Sequence, residues 1–116
     1  MARDLSFWKY KEESERLEHS KIYERLSNAE YVEEVAEIPV NLVKAEIEKV
    51  YSNWEKEDEN NYVLGSEAFE LMLTNQFVRI DCYGVAEEHM NQMIDVMDKF
   101  DCPLYDSTID VRFEGE

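Results

Sequence analysis

Two runs of alternating apolar residues, separated only by Asn75-Gln76, constrain the fold more than any other feature of this chain. Phe69, Leu71 and Leu73 alternate with Glu70, Met72 and Thr74, and Val78, Ile80 and Cys82 alternate with Phe77, Arg79, Asp81 and Tyr83. Asn tolerates positive φ, and two residues suffice for a tight hairpin loop. Pairing across that loop sets Leu73 opposite Val78, Leu71 opposite Ile80 and Phe69 opposite Cys82. All six then share one face. A slip of one residue would turn every one of them to the other side, so the pattern specifies a register as well as a hairpin.

Helical periodicity flanks the hairpin. Val40, Val43, Ile47, Val50 and Trp54 recur at steps of three and four, with Pro39 where a first helical turn tolerates it. Met90, Met93, Ile94, Met97 and Phe100 form a second stripe, led by Glu87 and Glu88 at the end where the helix dipole favours anions. Pro103 stops that helix. Leu5 to Tyr10 reads as a first strand, and Ile109, Val111 and Phe113 alternate with Asp110 and Arg112 as a last one. The order β-α-β-β-α-β predicts a single α+β domain over 1–116 of the ferredoxin-like, split βαβ type. Residues 11 to 38 are an insertion between the first strand and the first helix. Ile22, Tyr23 and Leu26 give it a short helix, and Tyr31, Val32 and Val35 an extended stretch. The charge run EKEDEN at 55–60 reads as a solvated loop.

Chemistry-bearing motifs are few. The stretch RIDCYGVAEEHMNQMIDVMDKFDC holds both cysteines and one of the two histidines. Cys82 and Cys102 fall at opposite ends of the second helix, about 22 Å apart at 1.5 Å per residue, whereas a disulfide needs α-carbons within about 7 Å. A zinc site needs close ligand pairs, and Cys82, His89 and Cys102 are not so spaced. His89 reads as a boundary histidine packed over methionines. A catalytic thiol needs a base and a depressed pKa, but Cys82 faces the core and acids surround both thiols. G-x-G-x-x-G, P-loop, G-x-S-x-G and H-E-x-x-H are all missing from the sequence, so neither catalysis nor a cofactor is expected. An unrecognised enzyme would need a cleft carrying Tyr83, Asp81 or His89, and finding those side chains dispersed or packed would end that reading.

Charge is the unusual quantity. Twenty-eight acids against twelve bases give a net charge of −16 over 116 residues. Such a field opposes nucleic acid and anionic lipid and favours a basic protein partner. No run approaches the roughly eighteen apolar residues of a membrane span, and no secretion signal precedes the first strand. Two reduced thiols and a cytoplasmic location are expected.

If Leu5 and Phe7 face the core, Trp8 and Tyr10 point outward, beside Phe77, Arg79, Asp81 and Tyr83, with Met72 and Arg112 next to them. In a split βαβ fold both helices cover one face of the sheet. These eight residues, Trp8, Tyr10, Met72, Phe77, Arg79, Asp81, Tyr83 and Arg112, are then the candidate interface. Either residues 11 to 38 fold back and bury the aromatics, or the patch is open and marks a protein interface, with a basic partner or with a second copy around a small ligand.

The stretches DLSFWKY, TNQFVRIDCYG and FDCPLYD resemble a family of small, acidic, uncharacterised bacterial proteins, a resemblance that covers most of the chain and implies no activity or catalytic residue. In size and charge alone the chain is similar to immunity proteins that neutralise toxins. The expected function is a non-enzymatic acidic protein-binding module, acting as an immunity or inhibitor protein on a basic toxin or nucleic-acid enzyme. A homodimer packing its open sheet faces is the alternative.

Overall fold

The computed structural model describes residues 2–11 and 18–113. Its elements are β1 (Ala2–Phe7), α1 (His19–Ser27), α2 (Val40–Val50), β2 (Glu55–Lys56), β3 (Asn61–Leu64), β4 (Glu67–Leu73), β5 (Val78–Tyr83), α3 (Glu87–Asp98), β6 (Leu104–Asp106) and β7 (Val111–Arg112). The molecule is an α+β protein. Its strands form one seven-stranded sheet in the order β2-β3-β4-β5-β1-β6-β7, and every neighbouring pair is antiparallel.

The β4–β5 hairpin has the register that the alternation demands. Phe69 lies opposite Cys82, Leu71 opposite Ile80 and Leu73 opposite Val78. Thr74 and Phe77 close the two-residue loop, with the Thr74 N–H donating to the Phe77 carbonyl at 2.9 Å. In β1, Leu5 and Phe7 point to the same face as the hairpin's apolar residues. α2 and α3 cover that face with Val43, Ile47, Met93, Val96 and Met97, making the larger core. Pro39 precedes α2 and accepts the Val43 N–H at 3.0 Å, so its missing donor costs the helix nothing. Gly84, at φ 68°, turns the chain out of β5 toward α3, a conformation in which a side chain would be strained.

Three expectations fail here. The sheet does not have the four strands of the split βαβ plan, and its overall order differs. An extra hairpin, β2–β3, adds at one edge because Tyr62 stacks on Phe69 at 4.9 Å, so EKEDEN supplies a short strand and a turn instead of a plain loop. At the other edge, residues 104–106 take the place beside β1. Tyr105 pairs with Ser6 and buries its ring against Trp8 at 5.1 Å, whereas Ile109, Val111 and Phe113 stay exposed. The predicted last strand shrinks to β7, paired only with β6.

Of the two alternatives for the second face, the covered one holds and the open patch does not. The described part of the insertion, residues 18–38, folds back over this face, and residues 12–17 lie outside the described residues. Ile22 and Leu26 of α1, with Val32 and Val35, bury Trp8, Phe77 and Tyr105 in a second core. Trp8 and Phe77 are each 0% exposed. The apolar i, i+4 spacing of Ile22 and Leu26 explains the helix, and the bridge between Tyr10 and Val35 fixes the segment that follows it.

Candidate functional site

The eight residues expected at an interface share the outer face, but the structure divides them. Trp8 and Phe77 are sealed beneath α1, and Tyr10 is half-buried. Arg112 lies over both Trp8 and Tyr10, 5.3 and 4.8 Å from the ring centroids, and donates to the Trp8 carbonyl at 2.5 Å. This group is a structural cage whose cation comes from the chain itself. Two of the eight are therefore unavailable to a partner, and a dimer built on Trp8 and Phe77 would first have to strip α1 from the sheet.

Met72, Arg79 and Asp81 come together in the part of this face that α1 leaves uncovered. With Asn60 and Glu70 they line a cleft of about 500 Å³. Its electrostatics follow from the register. Asp81 lies directly opposite Glu70 on β4 and directly opposite Asp4 on β1, so three carboxylates form a row across three strands. Like charges in opposed positions repel. Arg79 relieves part of this, donating to Asp81 at 3.0 Å and to the Ser27 hydroxyl at 3.2 Å. Burial opposes the Arg79 charge, but the hydrogen bond and the charge of Asp81 outweigh it and hold its pKa up. Asp4 accepts hydrogen bonds from Tyr23 at 2.6 Å and from Ser107 at 3.0 Å. Burial, then the bond to Asp4, raises the Tyr23 pKa. The row keeps more negative than positive charge and favours a cationic visitor.

Tyr83, 47% exposed, ends β5 on the same face. His89 lies on the opposite side of the sheet, so Tyr83, Asp81 and His89 do not share a cleft. Its role also differs from the expected packing over methionines. His89 Nδ1 is 2.7 Å from Glu67 Oε1, and its ring meets Trp54 edge-on at 5.3 Å. Glu67 Oε1 also accepts the Ala86 N–H at 2.8 Å, serving as a cap for α3, which has no capping side chain of its own. The Ala86 bond first, then His89, holds the Glu67 carboxyl below its usual range. Both thiols are free and buried. Burial above all pushes Cys82 up to about 12 and Cys102 up to about 11, leaving neither a nucleophile.

A second cleft, of about 410 Å³, opens between α3 and the β1–β6 edge. Leu5, Met90, Ile94 and Leu104 make its floor. Arg3, Glu87, Asn91, Asp98 and Phe113 form its rim. The methionine and isoleucine stripe of α3 is wider than the core it covers. Met93 and Met97 are buried, and Met90 and Ile94 are left partly exposed along the flank.

Sequence reasoning missed Glu70, Asp4, Glu67 and Gln76. The first was within reach, because the hairpin register already sets Glu70 opposite Asp81. The partners of the other three come from far along the chain and leave no periodic trace. Among the described residues no group of His, Cys, Asp and Glu is placed to hold a metal ion, and no helix is long and apolar enough to cross a membrane. Neither a protein-family model nor a curated protein sequence matches the chain.

Proposed function

We propose that this protein is a non-enzymatic binding module for a basic protein, of the kind that neutralises a cationic toxin or nucleic-acid enzyme. One observation carries the reading. The chain has twenty-eight acids and twelve bases, and among the described residues eight of those bases already pair with acids of the same chain. The scarce positive charge is thus spent internally, and the remaining acid is left to act on solvent and partners. A field of that sign speeds encounter with a basic surface and rejects acidic ones. It also argues against nucleic acid and anionic membrane as partners.

The four inner strands β4-β5-β1-β6, connected through α2 and α3, support a ferredoxin-like unit at the centre of the sheet, with α1, the β2–β3 hairpin and β7 as additions. In this reading α1 converts the open face of such a unit into a second core, and binding moves to the acidic clefts at the margins. Affinity capture on the immobilised chain tests the proposal. A basic protein should be retained at low salt and released as salt rises. Retention of acidic and basic proteins alike, insensitive to salt, would contradict it.

A further inference from the structure

We propose that the cleft between α3 and the β1–β6 edge docks a cationic amphipathic segment of the partner, which seats a large apolar side chain on Met90 and Ile94 and sets a Lys or Arg against Asp98. This rests on the reading of the chain as an acidic module, and it names where and how the partner is held.

Size and composition of the cleft come first. About 410 Å³ accommodates one or two large side chains. Its floor is apolar, and Met90, Ile94 and Leu104 in it are only partly buried, although Met93, Val96 and Met97 of α3 are sealed in the core. Charge then selects the occupant. α3 carries Glu87, Glu88, Asp95 and Asp98 and has no Lys or Arg anywhere along it. At the first turn, Glu87 and Glu88 meet the positive end of the helix dipole, which partly offsets them. Asp98 does not share that relief. It ends the helix, where the dipole is already negative, and the last turn has no basic residue. Arg3, the one cation among the described residues of the rim, is 2.9 Å from Asp106 and is occupied by it.

Among the described residues no cation pairs with Asp98, because the neighbouring Lys99 bonds Glu46 instead, so an apolar floor ends in unpaired negative charge one helical turn beyond Ile94. A side chain of purely apolar character would leave Asp98 unanswered. A purely cationic one would leave Met90 and Ile94 in water. A segment bearing both, about one turn apart, satisfies the two together.

Fluorescence anisotropy of labelled peptides on the full chain tests this. The probes are synthetic helices of about eighteen residues, one of Leu and Lys, one of Ser and Lys with the same charge, and one of Leu and Glu. The Leu/Lys peptide should bind roughly tenfold or more tightly than the Ser/Lys peptide, and the Leu/Glu peptide should not bind. Asp98→Lys and Asn91→Arg alter exposed residues at the cleft. Each should weaken the Leu/Lys peptide roughly fivefold or more. Glu57→Lys, the same charge change in the distant β2–β3 turn, should alter it by less than about twofold. Circular dichroism verifies that each variant is folded.

Equal weakening by Glu57→Lys and Asp98→Lys would overturn the cleft while leaving the acidic module standing. A dimer in sedimentation that Asn91→Arg dissociates would overturn it too, because a second copy would then be the occupant. Failure of every cationic peptide to bind at low salt would remove the parent reading itself.

Discussion

The Gln76 side chain clasps the backbone of Val32. Its Oε1 accepts the Val32 N–H at 2.9 Å, and its Nε2 donates to the Val32 carbonyl at 2.7 Å and to the Val35 carbonyl at 2.9 Å. Gln76 sits in the hairpin loop and is buried, so one amide ties the covering segment to the sheet like an added peptide unit. Gln76→Ala would leave two buried backbone groups without partners, the Val32 N–H and the Val35 carbonyl, while the Val32 carbonyl keeps the Val35 N–H, each orphan costing about 1–3 kcal/mol before relaxation. We expect a loss of about 3 kcal/mol in urea unfolding, together with new binding of a hydrophobic dye as the second core loosens. Unchanged stability would mean that the clasp is incidental.

Trp8 and Tyr83 separate a core residue from a surface one on the same face. Trp8→Ala should cost about 4 kcal/mol, because it empties the centre of the second core. Tyr83→Ala should change stability by no more than about 0.5 kcal/mol. Chemical denaturation of the two variants checks both values. A mild Trp8→Ala phenotype would place that ring at an outer surface after all.

The bonds that Glu67 makes, with the Ala86 N–H first and then with His89, give stability a defined pH dependence. The folded-state pKa of Glu67 lies below its ordinary 4.5. A carboxyl depressed in this way stabilises the fold above its unfolded pKa, and the contribution is lost as pH falls through the folded value. Glu67→Gln should therefore unfold at lower urea than the native chain at pH 7, and the two midpoints should converge as pH falls from about 5 to about 3. A gap of constant size over that range would show that Glu67 acts by shape alone.

At high pH the thiols work in the other direction. Cys82 and Cys102 are raised to about 12 and about 11. Their stabilising contribution is complete below the unfolded thiol pKa of about 8.5 and declines as pH rises toward the folded values. Burial raises Tyr51 and Tyr105 as well, so the decline should continue through the alkaline range. In the native state at pH 7.5 neither cysteine should react with a disulfide reagent before unfolding. Rapid labelling of one thiol would show that it is open to solvent and contradict its burial.

The elements built on periodicity were legible in the sequence. The β4–β5 register, the inward Leu5 and Phe7, and both covering helices follow from periods of 2 and 3.6. The closure of the outer face did not follow, because what holds it is a side-chain amide bonded to backbone 44 and 41 residues away. Such bonds have no local signature. The edge of the sheet was misread for a related reason: Ile109, Val111 and Phe113 alternate well, yet Tyr105 reaches Trp8 first along the chain and takes the place beside β1. Of the candidate interface, Met72, Arg79 and Asp81 share an open cleft, whereas Trp8 and Phe77 belong to the interior.

Titration calorimetry of the chain against the basic protein it captures, at low and at physiological salt, tests the central claim most directly. The acidic-module account predicts a one-to-one complex whose affinity falls steeply with salt and falls again when surface acids are neutralised. An affinity indifferent to salt and to those substitutions, or no basic protein captured at all, would contradict it.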